Sequence, residues 1–321
     1  MKFSFIDLYA GIGGMRIGFE EACRELGYKS ECLFSSEWDK HCQQTYKENF
    51  CEEPYGDIHE IIKNNIHLID KHHVLMAGFP CQPFSNAGLK KGFNDTRGTA
   101  FDDIRMIIES KKPKAFILEN VKGLRSNDKG RTLETILSVL RNDLGYSVPD
   151  PQILNSKHFG LPQNRERIFI VGFSNQNHKF LYPEPLNIKT KVSDILDPGP
   201  KYKYFISQKL WDSHRARKKR NQNAKPKKGF GFKSVTKYDD YTSTLSARYY
   251  KDGAEILIKR RGEDENIPPR LLTPNEAKQL QGFPKTFKPH VSNIQAYKQF
   301  GNAVSVPVIK RLVKAMIPFI K

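Results

Sequence analysis

A single cysteine, Cys81, stands between Pro80 and Pro83, directly after the short apolar run 74–77. An apolar run of this length that leads into a proline predicts a buried strand, and the two prolines restrict the backbone around the thiol. Open α/β sheets bind ligands at the carboxyl ends of their strands, so this position would present a thiol to a ligand. A lone free cysteine is more often a small buried hydrophobic residue, and the other motifs must decide between these alternatives.

A glycine-rich turn, residues 9–14, follows the first predicted strand at 3–8 and precedes a predicted helix at 15–26. Strand, glycine turn and helix N-terminus form a cradle in which the backbone can approach a nucleotide-like ligand. Glu37 ends the next predicted strand, about two dozen residues past the glycines, where a carboxylate can accept from ribose hydroxyls. The alternative is an acid that only favours a helix N-terminus. Beside it, Trp38 can pack against a purine.

A carboxylate and two arginines complete the candidate chemistry. Glu119 follows the apolar run 115–118, so we expect it at the same sheet edge as Cys81, where it is a candidate acid. Arg165 and Arg167 alternate with a glutamate just before another predicted strand and are predicted to point to one face of it. A surface ladder of salt bridges is the alternative explanation for this pattern.

Two further segments are candidates for ligand contact. Asp57 lies in a short turn, where its carboxylate can accept from an exocyclic amine. Residues 86–98 are rich in glycine and small polar side chains, which is typical of a loop that closes over a site.

The composition limits the classes of protein to consider. The chain has 321 residues and a formal net charge of +18, which favours a polyanionic partner, nucleic acid before membrane. Residues 201–233 contain twelve Lys or Arg and one acid, with aromatic residues between them. Five cysteines without a Cys-x-x-Cys pair argue against a disulfide framework and a zinc site, and they predict a reducing cytoplasm. The sequence has no apolar run of about 18 residues and no secretory signal, so neither a membrane span nor export is expected.

The alternation of strands and helices stops in the second half of the chain. Residues 174–269 are rich in Lys, Pro, Asn and Gly, with short strand signals such as 242–247, and predict a separate small domain of loops and short strands. Helical order returns with a capping box at 273–276. A last amphipathic helix is predicted at 305–317, after a break at 301–304.

Taken in order, these motifs resemble those of the bacterial DNA (cytosine-5)-methyltransferases over essentially the whole chain. The resemblance rests on the stretches 7–14, 37–39, 56–58, 78–85, 119–121, 163–167, 270–284 and 299–304. The first of them has Tyr9 where phenylalanine is usual in the family, which keeps the aromatic ring and adds a hydroxyl.

The resemblance implies a fold and a domain plan. The fold would be α/β, with a doubly wound, mostly parallel sheet of the Rossmann-like kind found in S-adenosylmethionine-dependent methyltransferases, plus a second, smaller, irregular β-rich target-recognition domain. The catalytic domain would comprise residues 1–185 and 302–321, the recognition domain 186–273 and a hinge region 274–301. DNA is expected in the cleft between the two domains.

The implied activity is that of a DNA (cytosine-5-)-methyltransferase. The thiolate of Cys81 would add to C6 of a cytosine flipped out of a short duplex site, and a methyl group from S-adenosylmethionine would go to C5. Protonated Glu119 would donate to ring N3, Arg165 would contact the base O2 and Glu119, and nearby arginines would favour the thiolate. The catalytic set carried over from the family is Cys81, Glu119, Arg165, Arg167 and Gln82.

The resemblance also assigns binding residues. Those expected for S-adenosylmethionine, the cofactor, are Tyr9, Ala10, Gly11, Gly13, Gly14, Glu37, Trp38, Asp57, Ile58, Pro80 and Asn302. Those expected for DNA are Ser85, Thr244, Arg248 and Lys218, and no metal ligand is expected. Around Thr244 the chain looks most like family members that act on sites beginning with two cytosines, such as CCGG-like or CCNGG-like sites.

Double-stranded DNA is the expected partner of a modification enzyme in a restriction–modification system. A cognate restriction endonuclease would act on the same site without direct contact. The protein is expected to be a monomer in the bacterial cytoplasm, associated with the nucleoid through DNA and not with a membrane. The alternatives are a tRNA cytosine-5 methyltransferase of the same fold, a non-catalytic DNA-binding protein, and a thiol-dependent dehydrogenase, whose pyrophosphate-binding glycine pattern is missing here.

Overall fold

The structure, a computed structural model, describes residues 1–80, 99–177, 179–186, 188–226, 228–229, 231–260 and 266–321. Cys81, Gln82, Ser85 and the predicted loop 86–98 lie outside these residues. The chain forms two compact units. The first consists of Met1–Leu154, Glu166–Glu184 and Val306–Lys321, and the second of Asn155–Arg165 and Pro185–Ser305. Assigning DNA recognition to 186–273 and a hinge to 274–301 stays a prediction.

The first unit is built on one six-stranded sheet. Its strands are β1 (Lys2–Leu8), β2 (Lys29–Ser36), β3 (Val74–Gly78), β4 (Ala115–Val121), β5 (Gln152–Asn155) and β6 (Glu166–Phe173). Their order is β2-β1-β3-β4-β6-β5. The first four strands in this order are parallel, and β6 runs antiparallel to β4. The predicted mostly parallel α/β sheet is therefore confirmed for its four leading strands, with β6 as an antiparallel addition.

The helices of the first unit alternate with these strands. They are α1 (Gly14–Glu25), α2 (Lys40–Phe50), α3 (Ile58–Asn65), α4 (Ala100–Lys111), α5 (Arg131–Ser138) and α9 (Val306–Met316). All four apolar residues at 74–77 of β3 are fully buried. Such an unbroken apolar run is expected of a central parallel strand, because helices cover both of its faces.

Helix α9 packs against α1. A Cβ added at Gly18 of α1 would lie 2.7 Å from Cβ of Ile309, so the absence of a side chain at Gly18 lets the two helices approach this closely. Lys310 Nζ pairs with a carboxylate oxygen of Glu25 at 2.9 Å. Hydrogen bonds from Lys314 and Lys310 lower the pKa of Glu25 to about 2.

The strand order reverses between β1 and β3. From β1 the chain moves to β2 on one side, and it then returns to place β3 on the other side of β1. In open α/β sheets a crevice forms at such a reversal, outside the carboxyl ends of the strands, and ligands bind in it. The turn after Leu8 and the residues after Gly78 both leave the sheet at this point.

The second unit contains a helix that the sequence analysis missed. Its elements are α6 (Gln208–Asn223), β7 (Ser234–Val235), β8 (Leu257–Ile258), α7 (Pro274–Leu280) and α8 (Asn293–Asn302). The prediction of loops and short strands was wrong for α6. Lys, Arg and Gln are good helix formers, Ser207 Oγ accepts from the Leu210 N–H to cap the helix, and the ring of Trp211 packs edge-on against Phe232.

The expected β-rich character is not found in the described part of the second unit. There, β7 and β8 have two residues each. The strand predicted at 242–247 is reduced to a single bridge between Thr242 and Gln163. Side-chain hydrogen bonds, rather than ladders, hold this segment, as described below.

Helix ends in the second unit follow the sequence more closely. The capping box predicted at 273–276 is present, because the Thr273 N–H donates to Glu276 Oε2 at 2.8 Å and the Glu276 N–H donates to Thr273 Oγ1 at 3.1 Å. The break predicted at 301–304 begins later than expected, since α8 continues through Asn302.

No helix within the described ranges is long and apolar enough to cross a bilayer. In the same ranges, His, Cys, Asp and Glu side chains form no group of three or more that could hold a metal ion.

Replacing Gly172 by Ala should destabilise the first unit. In the antiparallel ladder Gly172 lies opposite Phe116, and a Cβ there would come within 2.1 Å of the Phe116 ring. Overpacking of this kind typically costs about 1–3 kcal/mol of unfolding free energy. Gly123→Ala is the control, because its Cβ would meet only Val121 Cγ2 at 3.9 Å. Equal unfolding free energies for the two variants by denaturant titration would contradict this packing.

Candidate active site

The loop after β1 has a left-handed backbone at three positions, with φ of 54° at Tyr9, 56° at Gly11 and 81° at Gly13. A Cβ added at Gly13 would lie 2.3 Å from Cε2 of Phe50, so only glycine fits there. A Cβ added at Gly11 would meet nothing within 4 Å. The loop is therefore packed tightly at Gly13, while its backbone at Gly11 faces open space into which a ligand can come close.

Glu37 joins this loop to the end of β2. Its Oε2 accepts from the Gly11 N–H at 2.8 Å and its Oε1 accepts from the Asp39 N–H at 2.8 Å. The side chain is buried, and burial raises its pKa above the ordinary value. Asp39, not Glu37, caps α2, because Asp39 Oδ1 accepts from the His41 and Cys42 N–H groups. The alternative explanation for Glu37, an acid that favours a helix N-terminus, therefore applies to Asp39 instead.

The other cofactor residues predicted in the first unit lie on neighbouring segments. Trp38 is 76% exposed although it is a large aromatic side chain. The Glu37 N–H donates to the Tyr55 carbonyl at 2.9 Å, which ties the end of β2 to the turn before α3. There Asp57 is the N-cap of α3 and accepts from the His59 N–H at 3.0 Å, and the next residue, Ile58, is buried.

The remaining cofactor residues differ in placement. Ala10 is buried, with its N–H donating to the Ser36 carbonyl at 2.9 Å, and Pro80 is exposed after β3. Asn302 belongs to the second unit, where it is the exposed last residue of α8. Its assignment to the cofactor stays a prediction.

Glu119 sits in β4 with its carboxylate against an arginine. The Arg167 Nε lies 3.1 Å from Glu119 Oε1, and both side chains are largely buried. The strand register explains the pair. Val121 lies opposite Arg167 and Glu119 opposite Phe169, so Glu119 and Arg167 are diagonal neighbours on one face of an antiparallel ladder. Burial lowers the pKa of Arg167, and the charge of Glu119 opposes this shift.

The placement of Arg165 differs from that of Arg167. Both arginines were predicted to point to one face of a strand, and the resemblance gave Arg165 a contact with Glu119, which stays a prediction. Strand β6 begins only at Glu166, so Arg165 precedes it and lies in the second unit. The buried Arg165 guanidinium donates to three backbone carbonyls, at 2.9 Å to Leu245, 3.1 Å to Gly301 and 2.8 Å to Ala303. Arg167 pairs with Glu119, as described above.

Asn120 is a residue whose role the sequence analysis missed. Its Nδ2 donates to the Phe79 carbonyl at 3.0 Å, and its Oδ1 accepts from the Val121 N–H at 2.8 Å. In the ladder between β3 and β4, Gly78 lies opposite Glu119. Strand β4 thus supplies the carboxyl group and also fixes the backbone just before Pro80 and Cys81. An asparagine at a strand end, facing a segment whose prolines cannot donate to a ladder, was the available signal.

The residues predicted to bind DNA in the second unit, Thr244, Arg248 and Lys218, differ in what surrounds their side-chain polar groups. Thr244 Oγ1 donates to the Asn164 carbonyl at 2.7 Å, so its hydroxyl hydrogen is already used within the unit. Arg248 is exposed nearby, and the Lys218 ammonium of α6 lies 4.4 Å from the centroid of the Phe232 ring.

The glutamine of the 163–167 motif organises the same region. Gln163 Oε1 accepts from the Leu245 N–H at 2.9 Å, and its Nε2 donates to the Leu280 carbonyl at 2.9 Å. Gln281 Nε2 donates in turn to the Phe300 carbonyl at 2.7 Å. Together with Arg165, these side chains connect four separate segments of the second unit through backbone groups.

A family model for C-5 cytosine-specific DNA methylases matches residues 3–318. The chain belongs to this family. The type II methyltransferase M.NlaX of Neisseria lactamica is 51% identical over 315 residues, 98% of this chain and 96% of that protein. M1.ScrFI of Lactococcus lactis subsp. cremoris, also named a type II methyltransferase, is 50% identical over 320 residues, 98% of this chain and 78% of the relative.

Solved structures share the fold of this methylase at lower identity. The methyltransferase EhMeth of Entamoeba histolytica has a TM-score of 0.77 at 22% identity and covers 100% of this chain and 99% of its own. The Dnmt2 methyltransferase of S. pombe has a TM-score of 0.78 at 17% identity and covers 99% of both chains.

A methyltransferase of this family implies S-adenosylmethionine as methyl donor, and the loop after β1 fits an adenosyl group. The backbone at Gly11 is open, so a ligand can approach it closely. Both oxygens of Glu37 accept hydrogen bonds from backbone N–H groups, and a carboxylate has lone pairs enough to accept from a hydroxyl as well. Trp38 offers an exposed indole at the same turn.

Replacing Asn120 by Ala should slow methyl transfer by about tenfold, because the buried Phe79 carbonyl loses its partner. Single-turnover rates on DNA, with melting temperatures to show that the variant is folded, measure the effect. Asn142→Ala removes an exposed amide that donates to Ser138 Oγ and is the control. A wild-type rate for a folded Asn120→Ala protein would remove Asn120 from the positioning of the site.

Proposed function

We propose that this protein is the modification methyltransferase of a bacterial restriction–modification system, which methylates C5 of a cytosine within a short duplex DNA site. The observation that carries the proposal is the buried Glu119–Arg167 pair, which the strand register sets beside Gly78 at the end of β3, three residues before Cys81. Relatives that are about 50% identical over nearly the whole chain are named type II methyltransferases.

The reaction requires a nucleophile because C5 of cytosine is itself a poor one. The thiolate of Cys81 adds to ring C6, the electron pair of the C5–C6 bond is delocalised over the ring, and Glu119 in its protonated form donates a proton to N3. C5 has then become an enamine carbon that can form a bond to a methyl group. Loss of the C5 proton to a base, elimination of the Cys81 thiolate and return of the N3 proton to Glu119 restore the aromatic ring and the free enzyme. S-adenosylmethionine would supply the methyl group from its sulfonium and leave as the neutral thioether.

The other cysteines in the described part of the chain support Cys81 as the nucleophile. Burial raises the pKa of Cys23 and of Cys32 to about 12, and burial also raises the pKa of Cys42. These thiols stay protonated near neutral pH, and a protonated thiol is not the reactive form. Cys51 is exposed, but it follows α2 and is not part of the chain segments that adjoin β3 and β4.

Arg167 orients the carboxyl group of Glu119 by holding Oε1. The second oxygen, Oε2, lies 3.5 Å from the position that a Cβ on Gly78 would occupy. Glycine at this position therefore leaves space beside the carboxyl at the end of β3, where a flat pyrimidine edge can approach. In this proposal Arg165 supports the second unit through its bonds to backbone carbonyls, and its predicted contacts with the base O2 and with Glu119 stay expectations.

The adenosyl group is assigned to the loop at residues 9–14, with Glu37 accepting from the ribose hydroxyls and Trp38 packing on the adenine. Asp57 and Ile58 would contact the adenine edge, with Pro80 and Asn302 completing the set. The open backbone at Gly11 and the exposed indole of Trp38 support these assignments.

The DNA duplex must release the target base, since neither the thiol nor the carboxyl can reach C6 inside a stacked helix. Unstacking costs a few kcal/mol, and phosphate contacts from the basic second unit would offset it. Arg248 is exposed and can pair with guanine, and Lys218 would meet phosphate. Because the Thr244 hydroxyl donates within the protein, a phosphate contact at this position would come from its backbone N–H.

Cys81→Ser should abolish methylation and the covalent adduct with DNA that contains 5-fluorocytosine. Bisulfite sequencing of plasmid from cells that express the protein identifies the methylated site. A separate assay compares the transfer of labelled methyl groups to duplex DNA with transfer to tRNA. Cys51→Ser, a change at an exposed cysteine, is the matched control and should keep the activity. Near wild-type turnover by Cys81→Ser would refute the mechanism, and preferential labelling of tRNA would refute the substrate.

Glu119→Gln should reduce the rate of chemistry by about 100- to 10,000-fold, the usual range for loss of a general acid, with little change in DNA affinity. Amide and carboxyl have the same shape, so the change removes the transferable proton and leaves the packing. Glu134→Gln, at an exposed position of α5, controls for the loss of charge. Parallel losses in DNA affinity and in single-turnover rate would assign Glu119 to binding instead.

A further inference from the structure

Asp103 of α4 is a buried carboxylate that connects two segments of the proposed cofactor site. Its Oδ2 accepts from the Tyr9 hydroxyl at 3.1 Å, and its Oδ1 lies 2.9 Å from Nδ1 of His59. Tyr9 opens the loop after β1, and His59 lies in the first turn of α3, directly after Asp57 and Ile58. We propose that Asp103 is a positioning residue for the methyl donor, which holds the loop and the start of α3 in the geometry that binds the adenosyl group.

The contact with the loop acts on a residue in an unfavourable backbone conformation. Tyr9 has φ of 54°, in the left-handed region that side chains other than glycine rarely adopt. Its hydroxyl also donates to the Ala100 carbonyl at 3.2 Å, so both acceptors lie on α4. Burial, with Asp103 adding to the effect, raises the pKa of the Tyr9 phenol, so the hydroxyl stays protonated and keeps donating. The bonds to α4 thus hold the conformation that leads into Gly11.

The contact with α3 fixes the residue that follows the expected adenine contacts. The His59 N–H donates to Asp57 Oδ1 at 3.0 Å, and the His59 ring meets Asp103. Backbone and ring are therefore held at two points, which determines how Asp57 and Ile58 leave the turn. The hydrogen bond to Asp103 raises the pKa of His59, and burial raises the pKa of Asp103.

A purely structural role would be a weak reason for a buried acid at this position. Apolar side chains of similar size usually stabilise a core at least as well as a buried ion pair. What the carboxylate provides is a fixed direction for two different partners, one on each segment. Tyr9 and His59 lie on the loop after β1 and at the start of α3, the two segments whose residues the proposed function assigns to the cofactor. The inference rests on that proposed function.

The test measures the equilibrium dissociation constant of S-adenosylhomocysteine by titration calorimetry on the full chain. Tyr9→Phe should weaken binding about threefold, because one of the two contacts of Asp103 is lost, and Asp103→Asn about tenfold, because both contacts lose their charged acceptor. The double variant should bind about as weakly as Asp103→Asn, because the two side chains act through one contact. In methyl transfer, KM for S-adenosylmethionine should rise while kcat at saturating donor changes little.

Two variants control for stability and charge in the first unit. Tyr146→Phe removes another buried hydroxyl, which donates to the Pro113 carbonyl at 2.7 Å, and Glu109→Gln removes an exposed charge from the same helix as Asp103. Neither should change the dissociation constant, although Tyr146→Phe should lower the melting temperature.

Three results decide the question. Wild-type affinity in Tyr9→Phe and Asp103→Asn, with lowered melting temperatures, would overturn the positioning role and leave the proposed function intact. Failure of the wild-type protein to bind S-adenosylhomocysteine would instead refute the cofactor assignment itself. If Asp103→Asn does not fold, the comparison of Tyr9→Phe with Tyr146→Phe decides, and equal dissociation constants for these two would also overturn the inference.

Discussion

The register that joins β3, β4 and β6 is the constraint on which the site depends. It sets Gly78 opposite Glu119 and brings Arg167 onto the same face as that carboxylate. A slip by one residue would turn the carboxyl to the other face of the sheet. Apolar burial alone would not prevent a slip, because the runs at 74–77 and 115–118 are buried throughout. The pairing of Gly172 with Phe116 does select the register, since the ring fits only where the opposite strand has no side chain.

The sequence predicted those parts of the molecule that local chemistry controls. Unbroken apolar runs marked β3 and β4, and the capping box at Thr273 marked the start of α7, because both signals act over a few neighbouring residues. Arg165 was predicted to share a strand face with Arg167, but β6 begins one residue after it, because alternation in the sequence does not mark where a strand starts. Asp103 gave no signal, since its partners, Tyr9 and His59, are brought to it only by tertiary packing.

The second unit was mispredicted for a different reason. Its abundance of Lys, Pro, Asn and Gly indicated loops and short strands, yet Lys and Arg are good helix formers, and α6 buries Trp211 against Phe232. Elsewhere in this unit the backbone is irregular, but specific side-chain hydrogen bonds fix its conformation. Arg165 and Gln163 satisfy carbonyl and amide groups that a sheet would otherwise pair, and Gly301 allows its helix to approach Ser246, where a Cβ would come within 2.3 Å of the backbone.

The packing of α9 on α1 has a consequence for the protein during its synthesis. The helix that follows the glycine loop is covered by α9, which the ribosome adds about 280 residues after α1, and Gly18 has no side chain to replace the missing contact with Ile309. A nascent chain that still lacks α9 therefore exposes the apolar side of α1. Its first unit, which contains the glycine loop, is then incompletely packed. Packing of the first unit around the glycine loop is therefore completed only after α9 has been synthesised and has docked on α1.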